Sequence, residues 1–276
     1  MKNLTFLIIT IVFFACNNPH SVYTDAVFTD GIEGPYLDEE NRLYVVNMYK
    51  NGTIGMVHNN NYKVIYSLPD SGIGNSIQFW NDTTFIVADY VQHIIWKLNT
   101  KNYTWEKWIV NDSMNQPNDL TVHPKGWGYA SDPNWAKQTG NIWRFNSNGT
   151  MDLLLKNQGT TNGICTSLDG KYLWFNESVQ RNIWRYEIDK NGDIFNGKII
   201  HTFPNAGLDG MKSLPNGNVL IARYDAGEVV ELTSNGKIVK KYTLKGQKPT
   251  NITIDKNFEF MYVTLQDTKW VEKLKL

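Results

Sequence analysis

The tetrapeptides Ile95-Trp96-Lys97-Leu98, Ile142-Trp143-Arg144-Phe145 and Ile183-Trp184-Arg185-Tyr186 are versions of one short strand: an apolar anchor, an aromatic, a cation and a second apolar residue. Looser copies stand at Val229-Val230-Glu231-Leu232 and Val271-Glu272-Lys273-Leu274, and Ile54 anchors another near the start. The six anchors are 41, 47, 41, 46 and 42 residues apart. A period of this length marks one supersecondary unit stacked many times over. Between anchors, β-branched and aromatic runs such as Arg42–Val46 and Thr84–Ala88 alternate with turn residues. Asn51-Gly52, Asn148-Gly149, Asn191-Gly192, Asn216-Gly217 and Asn235-Gly236 supply the positive φ of tight hairpin turns. No segment beyond the first apolar stretch keeps a 3.6-residue apolar period, so helix content is expected to be minimal. Six units of four short antiparallel strands predict an all-β, six-bladed β-propeller. An eight-stranded barrel or a sandwich leaves the six matched units unexplained.

The ends of the chain suit ring closure. The last unit offers three strands, around Thr250–Asp255, Phe260–Thr264 and Trp270–Leu274. A spare strand at Val22–Phe28 is expected to complete that blade and hide its edge. The folded part is then one domain, residues 17–276, with 17–21 as a tether and 22–28 as the closing strand.

The first 16 residues read differently. Lys2 precedes an apolar stretch of 11 residues, Leu4 to Phe14, and then Ala15-Cys16 and polar Asn17-Asn18. The stretch is well short of the roughly 20 residues that span a bilayer as a helix, and its pattern is that of an export signal. Ala15 before Cys16 resembles a bacterial lipoprotein cleavage box, with Phe13 where Leu is usual. Cys16 is thus expected to carry lipid and hold the domain on the cell envelope; the alternative is an ordinary signal peptide and a periplasmic or secreted protein. With Cys16 used in this way, Cys165 has no disulfide partner, and its apolar setting Gly163-Ile164-Cys165-Thr166 reads as a buried structural thiol.

Lys plus Arg and Asp plus Glu are both 27, with no long run of either sign. Nothing here forms a basic footprint for nucleic acid or for anionic lipid, so membrane contact is expected only through the anchor. Oligomeric state is not readable from these features.

A second periodic feature sits just before the innermost strand of each unit: Glu33, Asn75, Asn118, Asn162, Asp209 and Asn251, spaced by 42, 43, 44, 47 and 42. In a propeller, equivalent positions at the starts of inner strands converge on one mouth of the central channel. All six are carboxylates or amides. Such hard oxygen donors suit Ca²⁺ or Mg²⁺, with Mn²⁺ next, whereas zinc usually recruits nitrogen or sulfur. Asn75 and Asn251, taken singly, read as lining or turn residues. Glu33 and Asp209 do not, because two facing carboxylates in a narrow channel need a cation or a proton between them. The five His show no ring spacing, and neither a Ser-His-Asp nor a Cys-His arrangement is evident.

At these positions the sequence resembles the senescence-marker-protein, gluconolactonase and luciferin-regenerating-enzyme family, in motif style nearest to its bacterial gluconolactonases. The motifs are Glu33-Gly34-Pro35, Gln116-Pro117-Asn118-Asp119-Leu120, Ser131-Asp132-Pro133, Thr161-Asn162-Gly163-Ile164, Asp209-Gly210-Met211 and Pro249-Thr250-Asn251-Ile252. The resemblance implies a lactone hydrolase with one catalytic divalent cation, Ca²⁺ first and Mg²⁺, Mn²⁺ or Zn²⁺ as alternatives. It implies Glu33, Asn118, Asn162 and Asp209 as metal ligands, Asn118 also as a substrate contact, and Asp209 as base or nucleophile. Asp119 is implied as a hydrogen-bond partner behind the ligands. Gln116 stands where animal members often carry an Arg, which removes a cationic contact to substrate.

The expected reaction is therefore opening of a small cyclic ester, with the metal polarising the carbonyl and Asp209 activating water. Two other readings use the same residues. A phosphotriesterase-like hydrolase would employ the same metal on a phosphoryl centre. A non-catalytic envelope propeller would use the ion as a plug and bind a ligand. Trp127 and Trp135, in segments expected as loops, argue for a small organic ligand; the Trp residues of the repeats are read as interblade packing.

Overall fold

The computed structural model describes residues 26–59 and 61–276. It is a ring of six antiparallel blades, and the only helical element among the described residues is a three-residue 3₁₀ turn, Pro69–Ser71. From the channel outward, blade 1 runs Phe28–Leu37, Leu43–Met48, Thr53–His58 and Asn61–Ser67. The inner strands of the next five blades are Gly74–Asn81, Leu120–Val122, Thr161–Thr166, Met211–Ser213 and Pro249–Ile254. Each inner strand packs against the next, and the first packs against the last, which closes the ring.

All six anchors of the repeat, Ile54, Ile95, Ile142, Ile183, Val229 and Val271, are buried. They sit in the third strand of their blades and face the seams. The core is accordingly six interblade clusters. Tyr44, Val46 and Ile54 of blade 1 meet Ile77, Phe85, Val87 and Trp96 of blade 2 in one of them. Cys165, Trp174 and Ile183 of blade 4 meet Met211, Ile221 and Val230 of blade 5 in another. Burial of this apolar surface is the main stabilising term.

The outermost strands are largely exposed, and those of blades 1 to 5 each carry Lys: Lys63, Lys107, Lys156, Lys198 and the pair Lys240-Lys241. Charged side chains on an open edge discourage pairing with another chain.

Blade 6 shows three strands, Pro249–Ile254, Phe260–Leu265 and Trp270–Lys275, among the described residues. The expected closing strand lies, through residue 25, outside them. What is described of it runs toward blade 6: the amide of Phe28 donates to the Lys269 carbonyl at 3.3 Å, and Val27 and Phe28 pack with Tyr262 and Val271. Residues 1–16, with Cys16 and the 17–21 tether, also lie outside the described residues. No described helix is long and apolar enough to cross a membrane.

Candidate metal and active site

One backbone device recurs in all six inner strands. In blade 5 the amide of Asp209 donates to the Ala222 carbonyl (3.0 Å), and the amide of Ala222 donates to the Gly210 carbonyl (2.9 Å). Two residues thus oppose one, which is a β-bulge. In blade 3 the amide of Asn118 donates to Ser131 (2.9 Å) and that of Ser131 to Asp119 (3.0 Å), the same arrangement. The register breaks at the matching place in the other blades: between Glu33 and Tyr36, Gly74 and Ser76, Thr161 and Ile164, and Pro249 and Ile252. A bulge bends its strand and re-aims a side chain. Each of the six polar positions found by spacing therefore sits on the bulge of its own blade.

The residue after the bulge is small where neighbouring strands crowd together. Gly34 has φ +51°, and a Cβ there would stand 2.6 Å from the Asn75 carbonyl oxygen. A Cβ on Gly163 would meet the Asp209 carbonyl oxygen, and one on Gly210 would meet the side chain of Asn251. These three glycines let blades 1 and 2, 4 and 5, and 5 and 6 approach closely at the mouth.

That mouth is a cavity of about 400 Å³, with Glu33, Asn75, Asn118, Asn162 and Asp209 at its base and Gln116, Tyr90, Trp135 and Tyr224 on its walls. Asn251 sits one layer lower; its Oδ1 accepts from the Ile252 amide (2.8 Å). Burial pushes the Glu33 carboxyl up to about 8, with the charge of Asp119 adding to the rise. Hydrogen bonds from the Gly34 amide (3.0 Å) and from Asn251 oppose it. Asp209 is also raised, by burial first and then by Glu33 and Asp119, against hydrogen bonds from Asn162 and the Gly210 amide. Two carboxylates are thus held together with too few donors to satisfy both as anions.

Residues 32–267 match the SMP-30/gluconolactonase/LRE-like region. The chain belongs to that family. The pentonolactonase XacC of Haloferax volcanii is 24% identical over 157 residues, which is 55% of this chain and 54% of that protein. The chain thus spans about half the length of this curated relative. Regucalcin from Agrobacterium tumefaciens, described as a calcium-binding protein, superposes with a TM-score of 0.81 at 19% identity, covering 93% of each chain. Luciferin-regenerating enzyme gives 0.80 at 17% identity, over 93% of this chain and 95% of its own. At these identities the structural likeness carries the fold; the activities are those proteins' own.

The donor set in this SMP-30/gluconolactonase/LRE-like chain fits a hard cation. Among the described residues no three His, Cys, Asp or Glu side chains cluster as a metal site, so the base of the mouth offers two carboxylates and a set of amides. The Nδ2 of Asn75, buried in the channel, has no hydrogen-bond partner among the described residues. The Nδ2 of Asn162 donates to the Leu208 carbonyl (3.3 Å). Zn²⁺ fits least well of the four ions considered, because the cavity has neither His nor Cys.

Asp132, in the Ser131-Asp132-Pro133 motif, proves to be a clamp. It is fully buried and accepts from the amides of Asn115 (2.7 Å) and Gln116 (2.6 Å), from Asn141 Nδ2 (2.9 Å) and from Trp143 Nε1 (2.9 Å). It thereby ties the Gln116-Pro117-Asn118 segment to blade 3. Asp89 does the same for the preceding blade, accepting from Trp96 Nε1 (3.0 Å) and the Ile73 amide (3.2 Å). Trp96 and Trp143 are therefore packing residues that also anchor the loops around the mouth, whereas the Trp184 indole N–H has no hydrogen-bond partner among the described residues. Asp132→Ala should cost about 3 kcal/mol or more, because four donors, the buried Trp143 indole among them, lose their acceptor at once. Urea unfolding checks this; an unchanged midpoint would refute the clamp.

Asp119 sits one layer below the mouth, accepting from Ser76 Oγ (2.9 Å) and from the amides of Leu120 (3.0 Å) and Ile164 (3.3 Å). Cys165 is buried, with Ser213 Oγ on its sulfur at 3.3 Å, and burial pushes its thiol up to about 12. One expectation fails: Trp127 lies in the strand Trp127–Asn134, stacks on His123 at 4.1 Å and donates to Tyr129 (2.8 Å), away from the cavity. Its apolar face is used for packing, so of the two loop tryptophans Trp135 alone lines the mouth. Residues not singled out from sequence, Tyr90, Ser178, Tyr224 and Gln266, also line it. They occupy one blade position, just after the second strand, which is a signal that alignment of the six units could have exposed.

Proposed function

We propose that the protein is a metal-dependent lactonase. The observation that carries this reading is the pair of raised carboxyls, Glu33 and Asp209, on bulges of distant blades at the base of one ligand-sized cavity. Glu33, Asn118, Asn162 and Asp209 would hold the ion, Ca²⁺ first by their oxygen chemistry. When bound, such an ion withdraws electrons from an ester carbonyl and makes water more acidic. Asp209 takes a proton from the attacking water and returns it to the alkoxide released as the ring opens, so that lactone plus water becomes hydroxy acid. Asn118 donates its amide to the substrate and orients it. The aromatic walls, Tyr90, Trp135 and Tyr224, pack on the ring and exclude water.

The substrate is inferred to be uncharged. No Lys, Arg or His lines the cavity, Gln116 stands where an Arg could have been, and Lys269 near the rim is paired with Asp30 at 2.8 Å. With two carboxylates and one divalent ion the base is close to neutral, and nothing recruits an anion. A neutral aldonolactone should therefore be opened at least about tenfold faster, by kcat/KM, than an analogue bearing a free carboxylate. The reverse order would remove the neutrality reading. A panel of lactones showing no turnover with Ca²⁺, Mg²⁺, Mn²⁺ or Zn²⁺ would remove the lactonase reading itself. Turnover of phosphotriesters in the same panel would favour the phosphoryl alternative.

Export and anchoring through Cys16 are proposed from the sequence pattern alone. Cys16→Ser should move the protein from the membrane fraction to the soluble one; unchanged fractionation would refute lipidation.

A further inference from the structure

Three blades are tied together across one side of the mouth. Tyr224 and Gln266 hold the same position in blades 5 and 6, just after the second strand, and Asp30 lies in the first inner strand, Phe28–Leu37. All three line the cavity. The Tyr224 hydroxyl donates to Gln266 Oε1, and Gln266 Nε2 donates to the Asp30 carbonyl at 2.8 Å. Both ends of this strap are held by further contacts: the Gln266 amide donates to the Lys248 carbonyl (2.9 Å), and Lys269 Nζ stands 2.8 Å from Asp30 Oδ1.

The direction of the strap follows from what each group is able to do. A backbone carbonyl only accepts, so Gln266 must turn its NH₂ toward Asp30 and its oxygen toward Tyr224. That oxygen also only accepts, so the phenol hydrogen of Tyr224 is committed to it. Lys248 acts on the same phenol, with Nζ 5.5 Å from the ring centroid, and as an ammonium it only donates. The phenol oxygen thus has lone pairs to offer a bound molecule and no hydrogen. We propose that Gln266 sets the polarity of this wall, making Tyr224 an acceptor that selects a lactone bearing a hydroxyl donor over one that cannot donate. The proposal rests on the lactonase reading above and adds which group of the substrate is read. Tyr224 is the specificity-determining contact, and Gln266, acting through it, is a positioning residue. A hydroxyl meets the phenol lone pair with its hydrogen, whereas an ether or a fluorine sets acceptor against acceptor and leaves the phenol oxygen unpaired.

The test is kcat/KM, with Ca²⁺ present, for an aldono-1,5-lactone and for its deoxyfluoro analogues, one for each hydroxyl. Fluorine keeps the electron withdrawal and nearly the size of a hydroxyl but has no hydrogen to donate. At one position the parent protein should prefer the hydroxyl by about tenfold or more. Tyr224→Phe should bring that ratio close to one. Gln266→Met frees the phenol hydrogen to turn into the cavity, so the ratio should fall there too, and this variant carries the test if Tyr224→Phe does not fold. Gln266→Glu still accepts from the phenol and should keep the ratio, although its bond to the Asp30 carbonyl is lost. A purely structural strap would lower the melting temperature and the rates for all the lactones together in Gln266→Met, with the ratio unmoved, and that result overturns the proposal. Lactones opened by the parent with no preference at any position would overturn it as well, and leave the lactonase reading standing. A parent protein that opened no lactone would remove the lactonase reading and this proposal with it.

Discussion

Asp209→Asn should abolish lactone turnover, by about 10²–10⁴-fold or more, while leaving the metal-free protein as stable as the parent or more so. The two halves of this result have one cause. Asp209 is buried beside Glu33 and under the charge of Asp119, and each of these raises its carboxyl. An amide of the same shape keeps the hydrogen-bonding geometry of the bulge, where the Asp209 amide and carbonyl are already used by Ala222 and Asn176. It removes one of the two facing charges and the only proposed base. Loss of turnover with an unchanged or raised melting temperature is the expected pair of readings. Full activity in Asp209→Asn would show that another group takes the proton. A sharp drop in melting temperature would show instead that Asp209 is chiefly structural.

The second large effect is on stability against pH. Glu33 has its carboxyl raised from 4.5 to about 8, by burial first and Asp119 next. Below about 4.5 it is protonated in the folded and the unfolded chain alike. Between 4.5 and 8 the unfolded chain releases this proton while the folded one retains it, so the unfolded state binds fewer protons and stability falls as pH rises. The raised carboxyl of Asp209 acts in the same direction. With a chelator present, the loss from pH 5 to pH 8 should be on the order of a few kcal/mol. A divalent ion supplies the positive charge that the proton otherwise provides, so adding Ca²⁺ at pH 8 should restore most of the loss and do little at pH 5. Melting curves at both pH values, with EDTA and with Ca²⁺, test this. Equal ion-induced shifts at the two pH values would sink the coupling.

Both effects turn on residues that were legible in the sequence, and the reason is periodicity. Ile54, Ile95, Ile142, Ile183, Val229 and Val271 repeat because each fills the same seam between blades, and a repeated environment leaves a repeated letter. Glu33, Asn75, Asn118, Asn162, Asp209 and Asn251 repeat because each occupies the same bulge. Spacing alone therefore located the fold and the ring of polar residues, and the family motifs other than Ser131-Asp132-Pro133 lie on those same bulges. Trp127 shows the limit of this kind of reading. Its letter suggested a ligand contact, and its strand placed it against His123.

What the sequence by itself determined is the local and repeated part of the protein: strands, Asn-Gly turns, six units, and one oxygen-bearing side chain per unit. These follow from backbone preferences and apolar alternation, which act over a few residues. Tertiary structure decided which groups feel one another. It lowered Asn251 to the second layer, tied Gln116 to Asp132, and set Lys212 beneath Asp209 in a channel shared with Asp119. The last of these joins segments more than 90 residues apart, Asp119 and Lys212. Their energies are electrostatic, so they depend on burial and distance across the ring rather than on any neighbour in the chain.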